Sequence, residues 1–521
     1  MQYKINIKNA NYTEWSIEPN NENFNPLNSK VFDNDILNSN LEVIESPIRN
    51  IELLGVIVIN NLQTYGTYKN NKTLYKVIPR NTNLPHFLVP YDIKKSDMGF
   101  SKNIQNKYVV FKYLNWESKH PIGQLIETIG PVNDDSSFYK FELYHKNLNI
   151  SIGKFNKDVN KIKEIDFINV IQKYNLVNRE SYKVFSIDPN NCLDFDDAFS
   201  IVKRDKNYLI SIYISNVPII IDYLNLWNSF SERVSTIYLP DGKIPLMPTI
   251  LSDNLCSLKE KETRVAFCLD ILVDDNGTIL NTELLNVAIK LKYNFVYESE
   301  QLLNYNNYKL LFDIVKKMYP TINDSHDLVA QLMILMNTYC ANKLLETNSG
   351  IFRSTLFTEN NLPIEIKNLL LLSNYSGIYT TNYDYTHHHT LDLNAYVHIT
   401  SPIRRIIDII NMIQFIKENL SNNAIIFYNT WIQKIDYIND TTKKIKKLQI
   451  MCELLNKTIN ITQIYNGYII DSDTIYIIEL KSFIKFKSTN LNSYSLHKFK
   501  LYLFNNEAKF SKKIKAEKIL I

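Results

Sequence analysis

The segment from Ser186 to Phe199 reads S-I-D-P-N-N-C-L-D-F-D-D-A-F and places four aspartates within ten residues. Carboxylates at this spacing repel one another and resist ionisation unless a cation lies among them. An apolar run precedes the aspartates at Tyr182–Ile187 and another follows at Phe199–Val202, so we predict a loop at the end of a strand. Oxygen ligands favour hard cations, and the segment therefore predicts a site for Mg²⁺, with Mn²⁺ as the alternative ion.

The acidic segment also has two competing interpretations. A calcium-binding EF-hand loop counted from Asp188 needs Gly at its sixth position and Glu at its twelfth, where this chain has Leu193 and Phe199. That difference excludes an EF-hand. A solvated acidic turn remains as the simpler structural alternative, because acidic runs are common in surface loops.

The composition of the 521-residue chain is globular, with 45% hydrophobic and 12% aromatic residues. At roughly 150 residues per domain, the length predicts three or four domains. The net charge of +4 means that any basic surface for nucleic acid must be local. The five cysteines form no CxxC pair, which argues against a zinc finger or a disulfide framework. No signal peptide or membrane-spanning stretch is evident, so we expect a soluble intracellular protein, in the cytoplasm and without a membrane partner.

The texture of the sequence divides the chain into five segments. Residues 1–47 are polar and rich in Asn, which predicts an extended or partly ordered N-terminal arm. Short strands between turn residues predict two small β-barrels, one over 48–98 and one over 99–178 with its linker. Residues 179–458 mix strands with helices. Strand texture returns over 459–521, which predicts a third small barrel.

Three shorter patterns predict individual elements. An apolar run at Tyr139–Leu143 predicts a strand of the second barrel. Apolar residues at helical spacing predict helices over Ile403–Asn419 and Thr441–Leu455.

A second motif, Y-V-H-I-T-S-P-I-R-R, lies two hundred residues after the aspartates at Tyr396–Arg405. Pro402 suits the start of a helix, with one of the two preceding hydroxyl residues as its cap. Arg404 and Arg405 would then lie in the first turn, where cations are unfavourable unless an anion is present. This arrangement predicts a phosphate site. The alternative is that both arginines pair with acids of the same fold.

Together the two motifs resemble the ribonuclease II/R (RNB) superfamily, whose eukaryotic branch includes the exosome nuclease Dis3. The first motif matches the family's metal-binding aspartate run at all four acids, and Thr400–Arg405 reproduces its T-S-P-I-R-R signature. Tyr238–Asp241 and Leu251–Leu258 look like the family's Y-L-P and L-S-x-x-L-C-S-L segments. The resemblance covers residues 180 to 455, and the layout is closest to the Dis3-like branch without a PIN domain.

The resemblance implies a multidomain α+β fold. Two N-terminal OB barrels of the cold-shock type would precede a mixed α/β RNB catalytic domain, and an S1-like OB barrel would follow it. The implied activity is a Mg²⁺-dependent 3′→5′ exoribonuclease that hydrolyses single-stranded RNA to nucleoside 5′-monophosphates. We expect a monomer with single-stranded RNA as its partner, and the sequence indicates no protein partner.

Site residues follow from the resemblance by position in the motifs. The metal ligands would be the four acids Asp188, Asp194, Asp196 and Asp197. Asp196 would also position the attacking water and serve, with Arg404, as a catalytic residue. The remaining substrate contacts are expected at the scissile phosphate and the terminal nucleotides, from Arg404, Arg405, Tyr238, Tyr297 and His388.

Five positions depart from the family pattern, which usually has Asp, an acidic pair and His-Arg at the places concerned. They are Asn216, Ala330, Gln331, Asn411 and Met412. These departures concern substrate handling rather than the four aspartates. An alternative function is therefore an RNA-binding scaffold of the same fold with a decayed catalytic core. A third is a metal-dependent nuclease that acts on DNA or on both RNA and DNA.

Overall fold

The computed structural model describes residues 2–21, 24–93, 104–162, 165–355, 377–389, 391–456, 463–486, 492–506 and 511–519. They belong to two compact units. The first comprises 1–149 and 450–521, and the second comprises 150–449. None of the helices within the described ranges has the length and apolar character that a membrane span requires.

The first unit begins with a four-stranded antiparallel sheet in the order β2-β1-β3-β4. Its strands are β1 (Tyr3–Ile7), β2 (Trp15–Glu18), β3 (Ile36–Leu37) and β4 (Val43–Glu45). Alternate residues of β1 face inwards, so Ile5 and Ile7 are fully buried. Phe32 stacks on Trp116 at 5.2 Å between ring centroids, and both belong to one core with the barrel that follows. The predicted extended arm over 1–47 is therefore wrong, because Asn-rich turns separate strands too short to stand out in the sequence.

A single closed barrel of five strands follows the N-terminal sheet, and a sixth short strand pairs with one of them at the edge. Its strands are β5 (Glu52–Val58), β6 (Thr67–Tyr68), β7 (Lys72–Pro79), β8 (Phe87–Pro90), β9 (Lys107–Asn115) and β10 (Ile122–Pro131). The order is β5-β9-β10-β8-β7-β6, and β5 also pairs with β7, which closes the sheet. The structure thus differs from the predicted boundaries, since strands from both 48–98 and 99–178 build this one barrel.

Helix α1 (Asp135–His145) follows the barrel and occupies the predicted strand Tyr139–Leu143. Asp134 begins the helix, because its carboxylate accepts hydrogen bonds from the backbone N–H and the hydroxyl of Ser137 at 2.9 and 2.6 Å. Phe138 and Phe141 lie three residues apart and are both buried. The strand prediction was wrong because it considered the apolar run without the capping residue before it.

The second unit is built around a six-stranded sheet in the order β11-β18-β12-β13-β14-β17, with an additional β17–β18 pairing that closes it. Two short two-stranded sheets, β15-β16 and β19-β20, accompany it. The strands of this unit are β11 (Val177–Asn178), β12 (Val184–Asp188), β13 (Asp197–Arg204), β14 (Asn207–Ser215), β15 (Ile237–Leu239), β16 (Gly242–Ile244), β17 (Thr263–Val273), β18 (Ile279–Val296), β19 (Phe352–Thr355) and β20 (Gly377–Thr380).

Helices precede, separate and follow these strands along the chain. Both helices predicted in this region are present. The helices are α2 (Gly153–Val159), α3 (Phe167–Lys173), α4 (Val217–Tyr223), α5 (Glu300–Leu303), α6 (Asn306–Met318), α7 (Ser325–Glu346), α8 (Ile406–Ile416), α9 (Asn422–Ile432) and α10 (Ile435–Asn456). Helix α8 falls inside the range predicted from 403 to 419, and α10 contains the range predicted from 441 to 455. The mixed α/β character predicted for this region is confirmed.

The C-terminal part of the first unit is a five-stranded antiparallel sheet in the order β23-β22-β21-β24-β25. Its strands are β21 (Tyr465–Asp471), β22 (Thr474–Ile477), β23 (Ser482–Lys485), β24 (Leu496–Asn506) and β25 (Ser511–Lys518). Ile475, Ile477, Phe499 and Leu501 form its separate core. This sheet lies in the segment where the third barrel was predicted.

Candidate active site

The acidic segment forms the loop between β12 and β13, as the sequence predicts. Asp188 is the last residue of β12, and Asp197 is the first of β13. Asn191 adopts a left-handed backbone conformation with φ of 63°, which Asn tolerates better than most residues. The hydroxyl of Ser257 accepts a hydrogen bond from the N–H of Phe195 at 3.0 Å and donates one to the Leu193 carbonyl at 2.8 Å. These contacts fix the loop that carries the acids.

Asp196 joins the acidic loop to the T-S-P-I-R-R turn. Its Oδ1 accepts a hydrogen bond from the backbone N–H of Ile403 at 3.0 Å, and its Oδ2 accepts one from Nε of Arg404 at 2.9 Å. Asp196 is only 4% exposed, whereas the Arg404 side chain is 44% exposed. Burial raises the pKa of Asp196 to about 6, with Arg404 and the Ile403 N–H acting against that shift. The two sequence motifs therefore meet at a charged hydrogen bond.

Asp188 and Asp197 lie beside this contact with unsatisfied oxygens. The Oδ2 atoms of both are buried without a hydrogen-bond partner among the described residues. Burial, together with the charges of the nearby Asp196 and Asp194, raises the pKa of Asp188 to about 7. Burial and the charges of Asp188 and Asp196 also raise the pKa of Asp197 well above its ordinary value. The site is thus short of positive charge, as a cation site without its ion would be.

Asp194 has a different environment, because two residues reach it from a neighbouring β-hairpin. Lys243 on β16 donates from Nζ to Asp194 Oδ1 and to Asp253 Oδ1, both at 3.0 Å. The hydroxyl of Tyr238 lies 3.5 Å from Asp194 Oδ2. Asp253 falls within the L-S-x-x-L-C-S-L segment, whereas nothing in the spacing of Lys243 indicated its position. Asp194 therefore has a cationic partner, which it shares with Asp253, whereas Asp188 and Asp197 have none among the described residues.

The donor atoms and the charge of the site suit a divalent ion, but the carboxylates do not converge on one point. Within the described residues, no three His, Cys, Asp or Glu side chains already converge on a common centre suitable for a metal. The unpartnered oxygens of Asp188 and Asp197 nevertheless fit a hard cation in donor type and in charge. Asp194 could join them only if it were released from Lys243.

Arg405 has a structural environment that differs from that of Arg404. Its Nη2 donates to Asp408 Oδ1 at 2.9 Å, and the same oxygen accepts a hydrogen bond from the N–H of Ser401 at 2.7 Å. Helix α8 begins at Ile406 with Arg405 at its N-cap. The predicted helix start at Pro402 is therefore wrong, since residues 401–405 form a turn held by Asp408. Both arginines pair with acids of the fold, as the structural alternative proposed.

The three remaining predicted contacts lie in different surroundings. Tyr238 is 42% exposed beside Asp194, so its ring is accessible to a ligand. Tyr297 stacks on His326 at 3.9 Å between ring centroids, and its N–H donates to the Asp188 carbonyl at 3.1 Å. His388 is only 6% exposed, and its ring packs on Tyr396 at 5.0 Å. Burial and Arg353 lower the pKa of His388 to about 4, which favours a structural imidazole over a substrate contact.

Buried polar side chains support the T-S-P-I-R-R turn from behind. Asn337 on α7 donates to the Tyr396 hydroxyl at 2.9 Å and accepts from the N–H of Ile399 at 3.0 Å. Asn411 on α8 accepts from the N–H of Ile351 at 2.8 Å and donates to the carbonyls of Ile351 and His398. Asn337 carried no sequence signal, because an isolated polar residue in a helix indicates nothing by itself.

Residues that depart from the family pattern make structural contacts in this fold. Asn216 caps α4, since its Oδ1 accepts from the N–H of Ile219 at 3.3 Å, and its Nδ2 donates to Asn286. Asn411 has the buried role described above, and Met412 beside it is fully buried. Ala330 and Gln331 lie on α7. Asn216 and Asn411 therefore stabilise helices and turns of the fold.

Similarity to known proteins agrees with this geometry. The profile of the RNB domain matches residues 177–309, and that of the Dis3-like cold-shock domain 2 (CSD2) matches residues 74–137. Ribonuclease R of Thermotoga maritima is 26% identical over 244 residues, which are 45% of this chain and 33% of that protein. The chain spans about a third of the length of such curated relatives.

Two solved structures share the fold at low identity. Mycoplasma genitalium RNase R matches with a TM-score of 0.68 and 15% identity, over 99% of this chain and 100% of that chain. Yeast Ssd1, described as a pseudonuclease, matches with a TM-score of 0.57 and 14% identity, over 85% of this chain and 66% of that chain. The fold and the profiles define an RNB-domain protein with a cold-shock-type OB domain. Over residues 177–309 the chain is therefore similar to the ribonuclease II/R (RNB) superfamily, and over residues 74–137 it is similar to the Dis3-like proteins.

Proposed function

We propose that this protein is a divalent-metal-dependent 3′→5′ exoribonuclease that hydrolyses single-stranded RNA to nucleoside 5′-monophosphates. The observation that carries the proposal concerns Asp188 and Asp197 beside Asp196 and Arg404. Each has a buried carboxylate oxygen that no described residue hydrogen-bonds. A structural acidic cluster would be expected to satisfy those oxygens within the protein, because an unpaired buried carboxylate costs stability. A divalent cation held at the site would account for them.

The proposed ion is Mg²⁺, with Mn²⁺ as a substitute, held by Asp188, Asp194, Asp196 and Asp197. When bound, such an ion lowers the pKa of its water and stabilises the leaving 3′ oxygen. Asp188 and Asp197 supply the open oxygens of the site. Lys243 donates to Asp194, so Asp194 would have to exchange this partner for the ion in order to hold it.

Asp196 and Arg404 have complementary roles in this proposal. Asp196 orients the attacking water and fixes Nε of Arg404, which limits the guanidinium to one orientation. The Nη2 of Arg404 donates to the Ser401 hydroxyl at 2.8 Å, and the exposed part of the side chain is available to the scissile phosphate. Arg405 acts indirectly, since its contact with Asp408 holds the turn that carries Arg404.

Single-stranded RNA is the proposed substrate, and we propose that it is bound without a preference for base sequence. Tyr238 offers an exposed ring beside Asp194 on which a base can stack, a contact that tolerates any base. The solved M. genitalium RNase R of the same fold includes a complex with ribose-methylated single-stranded RNA. Tyr297 is already stacked on His326, so it would contact RNA through its edge or hydroxyl.

A second candidate is an RNA-binding scaffold with a decayed catalytic core. Two observations favour it. The acids are not arranged around a common centre within the described residues, and the fold also serves a yeast protein described as a pseudonuclease. The retained carboxylates at Asp188 and Asp197 argue against decay, because a scaffold gains nothing from their unpaired charge.

A cleavage time course separates these candidates. The substrates are 5′-labelled single-stranded RNA and the matching DNA, incubated with Mg²⁺, with Mn²⁺ and with EDTA. Metal-dependent shortening of RNA from the 3′ end, abolished by Asp196→Asn, supports the exoribonuclease. RNA binding without cleavage under either ion supports the scaffold instead, and equal cleavage of DNA excludes specificity for RNA.

A further inference from the structure

Lys243 places a cation of the protein itself on one of the proposed metal ligands. It lies on β16, and its Nζ donates to Oδ1 of Asp194 and to Oδ1 of Asp253, both at 3.0 Å. The side chains of Lys243, Asp194 and Asp253 are 24%, 12% and 17% exposed. Partly buried charges are screened by salt much less than exposed ones. The ammonium therefore makes two partly buried ion pairs beside the other three acids of the candidate metal site.

The hairpin of β15 and β16 fixes the position of this ammonium. Lys243 is the cross-strand partner of Tyr238, so the two side chains lie on the same face of the hairpin. Both reach Asp194, the lysine at Oδ1 and the tyrosine hydroxyl at Oδ2, the latter at 3.5 Å. The chain just before the hairpin is joined to the T-S-P-I-R-R turn, since the N–H of Thr236 donates to the Arg404 carbonyl at 2.9 Å. Backbone pairing therefore holds Lys243 beside the acids.

Asp253 provides the ammonium with a second acidic partner, outside the four proposed metal ligands. Its Oδ1 also accepts a hydrogen bond from the hydroxyl of Ser252 at 2.6 Å, and Ser252 is only 2% exposed. A charge-assisted hydrogen bond from a buried hydroxyl fixes the direction of the carboxylate. Lys243 thus has a charged partner that stays in place whatever Asp194 binds.

A divalent ion and the ammonium compete for Asp194. Mg²⁺ lies about 2.0–2.1 Å from its oxygen ligands, so an ion on Oδ1 of Asp194 would be within roughly 5 Å of Nζ. Two cations at that distance repel each other. An ammonium has three donors on a flexible stem, so Nζ can keep its hydrogen bond to Asp253 while it gives up the one to Asp194.

We propose that Lys243 sets the affinity of the candidate active site for its divalent ion. Its ammonium holds Asp194 in the ion-free protein and keeps Asp253 as its partner when Asp194 binds the ion. Lys243 is a positioning residue in this role, because it acts on the ion through Asp194. The inference rests on the metal site of the proposed function, but it does not depend on cleavage of RNA. Loss of the ammonium should tighten binding of the ion, whereas loss of the Asp253 charge should weaken it.

Isothermal titration calorimetry with Mn²⁺ and the full chain, stripped of metal and without RNA, tests the proposal. Lys243→Met removes the charge at similar side-chain length, and we expect its Kd for Mn²⁺ to fall about tenfold, which corresponds to about 1.4 kcal/mol. Asp253→Asn keeps the shape of the side chain and should raise the Kd about threefold or more. Lys206→Met, at an exposed position in the turn between β13 and β14, is the matched control and should bind as the wild type does. Asp188→Asn removes a proposed ligand and should weaken binding, which assigns the measured heat to this site.

The double variant Lys243→Met/Asp253→Asn separates the exchange of partners from a general effect of charge. If Asp253 acts through Lys243, the double variant should bind Mn²⁺ as tightly as Lys243→Met does. Additive effects of the two substitutions would mean that each charge acts on the ion from a distance, and the exchange would then be wrong. Thermal unfolding in EDTA shows which variants are folded. Asp253→Asn retains the ammonium and decides the question by itself if Lys243→Met does not fold.

The outcomes distinguish this inference from the proposed function. An unchanged Kd in Lys243→Met or in Asp253→Asn would mean that Lys243 has a structural role alone, and the inference would be overturned while the metal site stands. Absence of Mn²⁺ binding from both the wild type and Lys243→Met would overturn the metal site and the inference together. Tighter Mn²⁺ binding by Lys243→Met, in a protein that cleaves no RNA, would support the inference and contradict the exoribonuclease.

Discussion

Asp196 and Arg404 are 208 positions apart in the chain, yet Nε of Arg404 lies 2.9 Å from Oδ2 of Asp196. The other carboxylate oxygen accepts from the N–H of Ile403, so both oxygens of Asp196 bind the same turn. The acidic loop and the T-S-P-I-R-R turn are therefore one hydrogen-bonded unit. A change at either residue should alter the position of the other.

Asp196→Asn should reduce RNA cleavage by about 10²–10³-fold or more, the loss typical of removing one preorganised charged contact. The amide keeps the shape but removes the charge that fixes Arg404 and orients water. Single-turnover cleavage rates at saturating protein measure the effect, with RNA binding followed in parallel by fluorescence anisotropy. Binding should change little.

Asp205→Asn is the matched control for that substitution. Asp205 is exposed in the turn between β13 and β14. Its φ of 53° lies in the left-handed region, which Asn adopts as readily as Asp. Its cleavage rate should equal that of the wild type. If Asp196→Asn also cleaves at the wild-type rate, the role assigned to Asp196 is wrong.

Arg404→Lys should lower kcat/KM by about two orders of magnitude despite the retained charge. Lysine cannot bind Asp196, the Ser401 hydroxyl and a phosphate at once, because its ammonium lacks the planar fork of the guanidinium. The measurement is the kcat/KM for a short oligonucleotide. Activity close to that of the wild type would mean that Arg404 contributes charge alone.

The sequence was informative where chemistry depends on neighbouring residues in the chain. It located the loop of the four aspartates and the T-S-P-I-R-R turn, because each motif is contiguous. It did not predict Lys243 or Asn337, which reach the site from distant elements and have ordinary surroundings in the chain. Nor did it predict that Asp408 holds the turn before α8, since that contact depends on tertiary packing.

The barrel boundaries were predicted wrongly for a similar reason. Strand β5 pairs with both β7 and β9, so a single closed sheet draws strands from both predicted barrel segments. Strand patterns locate individual strands but contain no information about which strands pair. The N-terminal sheet was missed for a different reason, because β3 is only two residues long.

Asn411→Ala should destabilise the protein by about 2–4 kcal/mol. Asn411 is fully buried and makes hydrogen bonds to both backbone groups of Ile351 and to the His398 carbonyl. Alanine leaves these groups without partners, at about 1–3 kcal/mol for each unsatisfied group. Urea denaturation measures the loss. Asn422→Ala, at an exposed position of α9, should change stability by less than about 0.5 kcal/mol. Equal stabilities of the two variants would contradict the role given to Asn411.

The metal-free protein should lose stability as the pH rises from about 4 towards 8. The folded pKa of Asp188 is raised to about 7 and that of Asp196 to about 6, above the ordinary value of about 3.9. A raised carboxyl pKa contributes stability below the unfolded pKa, and that stability is lost as the pH passes the folded pKa. Because each pKa unit corresponds to about 1.4 kcal/mol, the two raised values together predict a loss on the order of 7 kcal/mol, measured as Tm or urea midpoint in EDTA.

Mg²⁺ should reverse that loss at pH 8 and have little effect at pH 5, because a cation must displace the protons of these carboxyls to bind. Asp188→Asn removes one of the titrating groups and should flatten the pH dependence in EDTA while weakening the stabilisation by Mg²⁺. The distant Asp205→Asn should leave both unchanged. Stabilisation of equal size at pH 5 and pH 8 would mean that Mg²⁺ binds elsewhere, and the proposed metal site would then have to be abandoned.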